Sequence, residues 1–182
     1  MKKVQLLCII LVGFAMLLPV NPLGAGAGEA IRWIGMQQAI ELSEKKNNQK
    51  KFFIDVYTDW CGWCKKMDAA TFSDPMIGAF VNRYFYAVKF DAEGKESIKL
   101  KGQEFKFVAQ GSRGYHELAA ALLNGKMSYP TTVYMDEQFQ MLSPVPGYLD
   151  KPTFSKIISY YGENHHKKTP WPDYEKSFTG LK

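Results

Sequence analysis

Two cysteines, Cys61 and Cys64, stand three residues apart in the segment Tyr57-Thr58-Asp59-Trp60-Cys61-Gly62-Trp63-Cys64-Lys65. A disulfide across so short a spacing closes a tiny loop and constrains little of the unfolded chain, so stabilisation does not explain the pair. Thiol chemistry does. The residues before Cys61 read as a buried strand and those from Cys64 as a helix. Cys61 therefore falls at a helix N-terminal end, where unpaired N–H groups and the dipole favour a thiolate. Cys64 lies one turn further in, shielded and within bonding reach. An exposed attacking thiol and a buried resolving thiol are what thiol–disulfide exchange needs. Haem attachment would need His after Cys64, and Lys65 stands there. Zinc would need a second Cys/His pair at suitable spacing, which the sequence lacks. The rival use is a binding module without redox turnover, or one holding a soft ion such as Cu(I) at the two thiols.

The elements around this loop follow from hydrophobic patterning. Lys51 to Thr58 is apolar on both faces and rich in β-branched and aromatic residues, as a doubly covered central strand requires. Ile31 to Ile34 reads as a short first strand. Met36 to Lys46 reads as a helix with Met36, Ala39, Ile40 and Leu42 near helical spacing, stopped at Asn47-Asn48-Gln49. Cys64 to Thr71 reads as a helix, Asp74-Pro75 as the N-cap and first residue of another, and Tyr84 to Phe90 as a second buried strand. Ser97 to Val108 reads as one exposed β-hairpin turning at Gly102-Gln103, followed by a loop at Gly111-Ser112-Arg113-Gly114. Tyr115 to Leu123 is helical, stopped by Asn124-Gly125. Strands at Thr131 to Met135 and Gln140 to Pro144 and a helix from Pro152 to Tyr161 complete the pattern. Strands alternating with helices give parallel pairing, and the short last connection gives an antiparallel edge. The expectation is an α/β protein with a central mixed β-sheet flanked by helices.

Composition bounds the rest. The 182 residues are 46% apolar and 14% aromatic, enough large side chains to fill a core and exclude disorder for most of the chain. Met1-Lys2-Lys3, an apolar run to Val20 and Ala25-Gly26-Ala27 have the form of a cleaved signal peptide, with removal near Ala27. The apolar run is shorter than the roughly 20 residues needed to span a bilayer. The expected organisation is a signal peptide at 1–27, one domain at 28–162 and a C-terminal tail at 163–182. Cleavage removes Cys8 and leaves Cys61 and Cys64 in a secreted or periplasmic compartment, where a disulfide can persist. The formal charge of +5 is spread along the chain and gives no case for nucleic acid.

With these residues in place, the segment from about Lys51 to Tyr161 resembles the thioredoxin superfamily. Tyr-Thr-Asp-Trp-Cys, then Cys-Lys-Lys and Thr-Phe-Ser-Asp-Pro, is most similar to secreted thioredoxin-like proteins and to the C-terminal domain of the Dsb transmembrane disulfide reductase. The resemblance implies a thioredoxin fold, with the hairpin as an insertion at about 93–114. It implies that Cys61 attacks and Cys64 resolves. Asp55 matches the family's buried acid, Lys89 the lysine approaching it, and Pro130 the cis-proline beside the cysteines. Tyr129 would then offer its backbone to an extended substrate. Trp60 reads as both packing and rim, and Trp63 stands where thioredoxin itself has Gly-Pro.

Each carried-over residue also has a physical reading. Asp55 in an apolar strand is costly unless paired or protonated, and it could take the proton that Cys64 must lose. A structural pair with Lys89 is the other reading. His116 reads as a surface or capping residue, and His165-His166 as part of a solvated tail. The insertion is either a binding element or a lid packed through Phe105 and Phe107. The function expected is reduction of protein disulfides by a CGWC dithiol without cofactor or metal. Because the cysteines must cycle, a redox partner such as a membrane thiol–disulfide reductase is also expected.

Overall fold

Seven residues set the frame. Strand β2 (Lys51–Tyr57) is buried along almost its whole length and pairs on both edges. Phe52, Ile54 and Val56 point to one face and Phe53 and Asp55 to the other, the period-two alternation of a strand. The computed structural model describes residues 28–45 and 50–182. The expected signal peptide at 1–27 and the helix stop at Asn47-Asn48-Gln49 lie outside the described residues.

The elements follow in the order β1 (Trp33–Ile34), α1 (Met36–Ser43), β2, α2 (Gly62–Met67), α3 (Pro75–Tyr84) and β3 (Phe85–Asp91). Four short strands come next: β4 (Ile98–Leu100), β5 (Gln103–Phe105), β6 (Phe107–Gln110) and β7 (Arg113–His116). Then come α4 (Glu117–Leu122), β8 (Thr131–Met135), β9 (Met141–Pro146), α5 (Lys151–Gly162) and α6 (Trp171–Ser177). The main sheet has the order β1-β3-β2-β8-β9. β1 and β2 run parallel to β3, and β8 runs antiparallel to both β2 and β9, so the sheet is mixed. One apolar cluster joins α1, α4 and part of the insertion to the first face of the sheet. A second joins α3 and α5 to the other face, with Phe53, Phe72, Phe154 and Tyr134 in ring contact. Asp74 accepts hydrogen bonds from the Met76 and Ile77 N–H groups ahead of Pro75, so α3 begins where its Asp-Pro pair predicts.

The insertion differs from the sequence expectation. It is two hairpins, not one. Lys101 and Gly102 both have positive φ, 51° and 80°, and close β4 onto β5 as a tight two-residue turn. Gly111, with φ of 61°, closes β6 onto β7, so the expected loop at 111–114 is the turn and first half of a strand. Gly114 is required there: a Cβ would fall 2.2 Å from the Phe107 ring and 2.4 Å from the Val108 carbonyl oxygen. Ile98 and Leu100 are buried, and Phe105 packs against the same cluster, so the first hairpin is a lid. Phe107 plays no part in that core.

Two other expectations shift. α4 begins at Glu117, and His116 is its N-cap, with Nδ1 accepting from the Leu118 N–H at 3.1 Å and Nε2 donating to the Glu96 carbonyl at 2.8 Å. His116 is a capping residue but fully buried. His165 and His166 are not in a solvated stretch. His165–Lys167 forms a 3-10 turn and α6 packs on α5, with Tyr174 buried and its hydroxyl donating to Ser159 Oγ at 2.7 Å. His165 and His166 lie against the tyrosines of this patch.

Candidate active site

The chain leaves β2 at Tyr57, turns, and enters α2. The Cys61 N–H donates to the Thr58 carbonyl at 3.1 Å, closing that turn. Cys61 is the N-cap of α2, and its Sγ accepts the Cys64 N–H at 3.1 Å. A sulfur occupies the position normally held by a capping oxygen, facing the unpaired amides of the first turn. Cys61 and Cys64 are joined as a disulfide with Cα atoms 5.3 Å apart. The helix starts at Gly62 rather than Cys64, and residues Asp68–Phe72 continue it as a π turn. The expected contrast between an exposed and a shielded cysteine is absent from this oxidised form: Cys61 is 5% exposed and Cys64 3%. The exposed groups beside the disulfide are Trp60 and Trp63, each more than half exposed.

Beneath α2 lies Asp55. Phe53 and Asp55 share a face of β2, and Ala87 and Lys89 share the matching face of β3. Asp55 and Lys89 are register partners, and Lys89 Nζ donates to Asp55 Oδ2 at 2.6 Å. The same ammonium also bonds Asp68, at the end of α2. Burial pushes the Asp55 carboxyl up to about 6, against the pull of the Lys89 charge. Burial lowers Lys89, but Asp55 and then Asp68 outweigh it and hold the ammonium above its ordinary range. Asp55 Oδ1 is buried and has no hydrogen-bond partner among the described residues. A carboxylate with one oxygen paired and one open, titrating near 6, can accept and return a proton at neutral pH.

The rim is aromatic. Thr131 on β8 pairs with Val56 on β2, which sets Pro130 beside the end of the strand that carries the cysteine loop. The Tyr129–Pro130 peptide is cis. The Tyr129 ring meets Trp60 edge-on at 5.9 Å, and its hydroxyl is pushed up to about 12 by burial, helped by the charges of Glu93 and Asp91. Trp60 Nε1 donates to Glu93 Oε1 at 3.1 Å. On the opposite side Trp63 meets Tyr148 at 5.6 Å.

The fold thus brings together Cys61 with Cys64, Asp55 with Lys89, and Trp60 with Tyr129 and Pro130; Trp63 stands apart on the far rim. Four site residues escaped the sequence reading. Asp68 had a signal, standing four residues after Cys64 on the same helix. Glu93, which bonds Trp60, and Arg113, whose guanidinium lies over the Trp60 ring, had only the coarse signal of the 93–114 insertion as a possible binding element, and Tyr148 had none. Among the described residues, no group of three or more His, Cys, Asp or Glu side chains could hold a metal ion.

Residues 38–162 match the thioredoxin-like domain family. The chain belongs to that family. The same fold is found in the oxidoreductase DsbH, with 18% identity, a TM-score of 0.53, and coverage of 79% of this chain and 92% of that one. A thioredoxin from Thermus thermophilus is similar at 17% identity and a TM-score of 0.52, covering 78% of this chain and all of that one. In sequence, 46 residues are 39% identical to the thiol:disulfide interchange protein DsbD of Photorhabdus laumondii. That match spans 25% of this chain and 8% of the length of that relative. No helix among the described residues is long and apolar enough to cross a membrane.

Proposed function

We propose that this thioredoxin-like protein is an exported thiol–disulfide oxidoreductase that reduces protein disulfides with the Cys61–Cys64 dithiol. The observation that carries the reading is a bonded cysteine pair in the first turn of α2, and the half-paired carboxylate of Asp55, on the strand that leads into the cysteine loop, supports it. In the reduced protein the amides of the first turn, with the Cys64 N–H directed at Sγ, favour the Cys61 thiolate. That thiolate attacks one sulfur of a substrate disulfide. The substrate S–S bond breaks, one substrate sulfur leaves as a thiolate, and the other is joined to Cys61. Cys64 then gives its proton to Asp55 and attacks the Cys61 sulfur. The mixed disulfide breaks, the second substrate thiolate leaves and takes up a proton, and the Cys61–Cys64 disulfide remains. Two electrons have passed to the substrate.

Lys89 and Asp68 are positioning residues in this scheme. Lys89 holds one oxygen of Asp55, and Asp68 shares the same ammonium. Trp60, Trp63, Tyr129 and Pro130 form the face that meets the substrate, with the Tyr129 backbone placed for an extended segment. The signal at 1–27 directs export, residues 28–162 form the working domain, and residues 163–182 are an appendix to it. A second redox protein, such as a membrane thiol–disulfide reductase, re-reduces the pair.

The direction follows from what flanks the thiolate. Gly62-Trp63 supplies no His between the cysteines. Thiolate stabilisation then rests on the helix end and on Lys65 or Lys66 beside it, worth about 0.3–1 kcal/mol for a terminal charge. In a two-electron couple 1.4 kcal/mol is about 30 mV, so such terms move the potential by tens of millivolts. The expected potential lies nearer about −270 mV than the roughly −120 mV of a strong oxidant. Two measurements test the reading. Purified protein with dithiothreitol should accelerate insulin reduction; absence of acceleration would overturn the enzyme reading. A glutathione titration more oxidising than about −180 mV would leave an enzyme but reverse its direction.

A further inference from the structure

Both exposed rim tryptophans carry a cation on one face. The Arg113 guanidinium carbon lies 5.3 Å from the Trp60 ring centroid, and Lys66 Nζ lies 4.5 Å from that of Trp63. Trp60 precedes Cys61 and Trp63 precedes Cys64, so the two cations flank the disulfide. Neither forms an ion pair among the described residues. Their origins are independent. Lys66 sits one turn along α2 from Trp63, a spacing that any helix brings together. Arg113 comes from β7, in the second inserted hairpin, and reaches Trp60 only because the insertion folds back over the rim.

Three carboxylates stand on the Trp60 side and offset part of the Arg113 charge, while Lys66 on the Trp63 side has no carboxylate paired with it among the described residues. Glu93 accepts from the Trp60 indole, which also fixes the ring beneath Arg113. Asp91 accepts from the Glu93 backbone N–H at 2.9 Å. Asp59 is exposed close to this side and opposes Arg113 in part. A guanidinium held over a ring face by cation–π attraction still has N–H donors to offer, and their fork is shaped for a carboxylate.

We propose that Arg113 and Lys66 are specificity-determining residues, selecting disulfides whose cysteine is flanked by Asp or Glu in an extended segment. This rests on the oxidoreductase reading and adds the substrate class to it. The tryptophans supply apolar contact to any chain, and the cations supply the discrimination. The simpler role, in which both side chains only cover indole surface with their stems, makes no distinction between acidic and basic substrates.

The test uses three peptides of one sequence with a single cysteine activated as a 2-thiopyridyl disulfide, flanked on both sides by Glu, Gln or Lys. Release of thiopyridone by the reduced protein gives the rate of Cys61 attack, divided by the rate with neutral 2-mercaptoethanol to remove intrinsic reactivity. The Glu peptide should react about three- to fivefold faster than the Lys peptide at low salt, as for exposed ion pairs. The preference should shrink toward the screening limit of physiological ionic strength. Arg113→Lys should keep the preference, Arg113→Glu should reverse it, and Lys66→Glu should weaken it from the other side. Unchanged circular dichroism identifies variants that fold. Equal rates for the Glu and Lys peptides, or a preference untouched by both charge reversals, would overturn the inference while leaving the oxidoreductase intact. Failure of wild-type protein to attack any of the three would overturn both.

Discussion

Asp55 and Lys89 sit opposite one another on the parallel strands β2 and β3, with the ammonium 2.6 Å from one carboxylate oxygen and, among the described residues, no hydrogen-bond partner at the other. The pair is lopsided. Lys89 divides its charge between Asp55 and Asp68, while Asp55 bears the full cost of burial. A carboxylate in that position weakens the fold when ionised and is available for proton transfer for the same reason.

The first consequence is a stability trade measurable by pH. The folded-state value of Asp55, about 6, lies above its ordinary 3.8. As pH rises through that window the unfolded chain loses the proton first, so the folded state becomes less favoured, and the loss is complete above about 6. Asp55→Asn, which resembles the protonated form, should be more stable than wild type at pH 7.5 by about 2–3 kcal/mol. The gain should vanish near pH 3.5. Urea unfolding of the oxidised proteins at both pH values measures it, and a less stable variant at pH 7.5 would refute the account.

The same substitution should slow resolution. Without a proton acceptor beneath α2, the mixed disulfide on Cys61 should persist, with its decay slowed about 100-fold, within the range for a positioned base. In wild-type protein the resolution rate should fall as pH drops through about 6, where Asp55 takes up its proton. Quenched single-turnover experiments, with the mixed disulfide read by mass, separate this step from the first attack. An unchanged decay rate would remove Asp55 from the chemistry.

Cysteine roles are separable by trapping. In the reduced protein Cys61 should alkylate first at neutral pH, because its sulfur caps the helix. Cys64→Ser should accumulate mixed disulfides with substrates and Cys61→Ser almost none. Equal trapping by the two variants would contradict the assignment.

Gly114→Ala tests whether the second hairpin is as tightly built as its contacts indicate. The added methyl would meet both the Phe107 ring and the Val108 carbonyl, and overpacking of this kind costs about 1–3 kcal/mol. Hydrogen exchange should show loss of protection in β6 and β7 with β2 and β3 unaffected. Uniform protection in the variant would mean that the hairpin yields without cost.

Processing is the fifth expectation. Exported protein should begin near Gly28 by N-terminal sequencing, and an intact Met1 in the membrane fraction would point to a retained anchor.

The sheet and the cysteine loop were legible because their signals are local and strong. An apolar run such as Lys51 to Tyr57 suits only a covered strand, and Asp74-Pro75 announces a helix start. What was missed depends on folding back. Arg113 and Gly114 have loop composition, and only pairing with Phe107 to Gln110 makes a strand of them. The contact of Asp68 with Lys89 needs α2 laid across β3. The burial of Cys61, nearly equal to that of Cys64, is set by the tertiary surroundings of the pair, which no spacing rule conveys. His116 could be read as a cap but not as a buried one, because the carbonyl that satisfies its ring belongs to Glu96, in the insertion.

The insertion begins and ends at one spot. The His116 N–H donates to the Ala92 carbonyl at 2.7 Å, and the Ala92 N–H donates to Tyr57 at 2.8 Å, so the loop departs from and rejoins the scaffold across a single hydrogen bond. A segment with coincident ends is exchangeable: bringing such ends together costs little more for a long piece than a short one. Residues 93–115 can be viewed as a cassette plugged in next to the cysteines, carrying its own turns and two side chains, Glu93 and Arg113, that touch Trp60 on the rim. Swapping that cassette between relatives would graft substrate preference without redesigning the redox pair, while any replacement would have to supply apolar cover in place of Ile98 and Leu100.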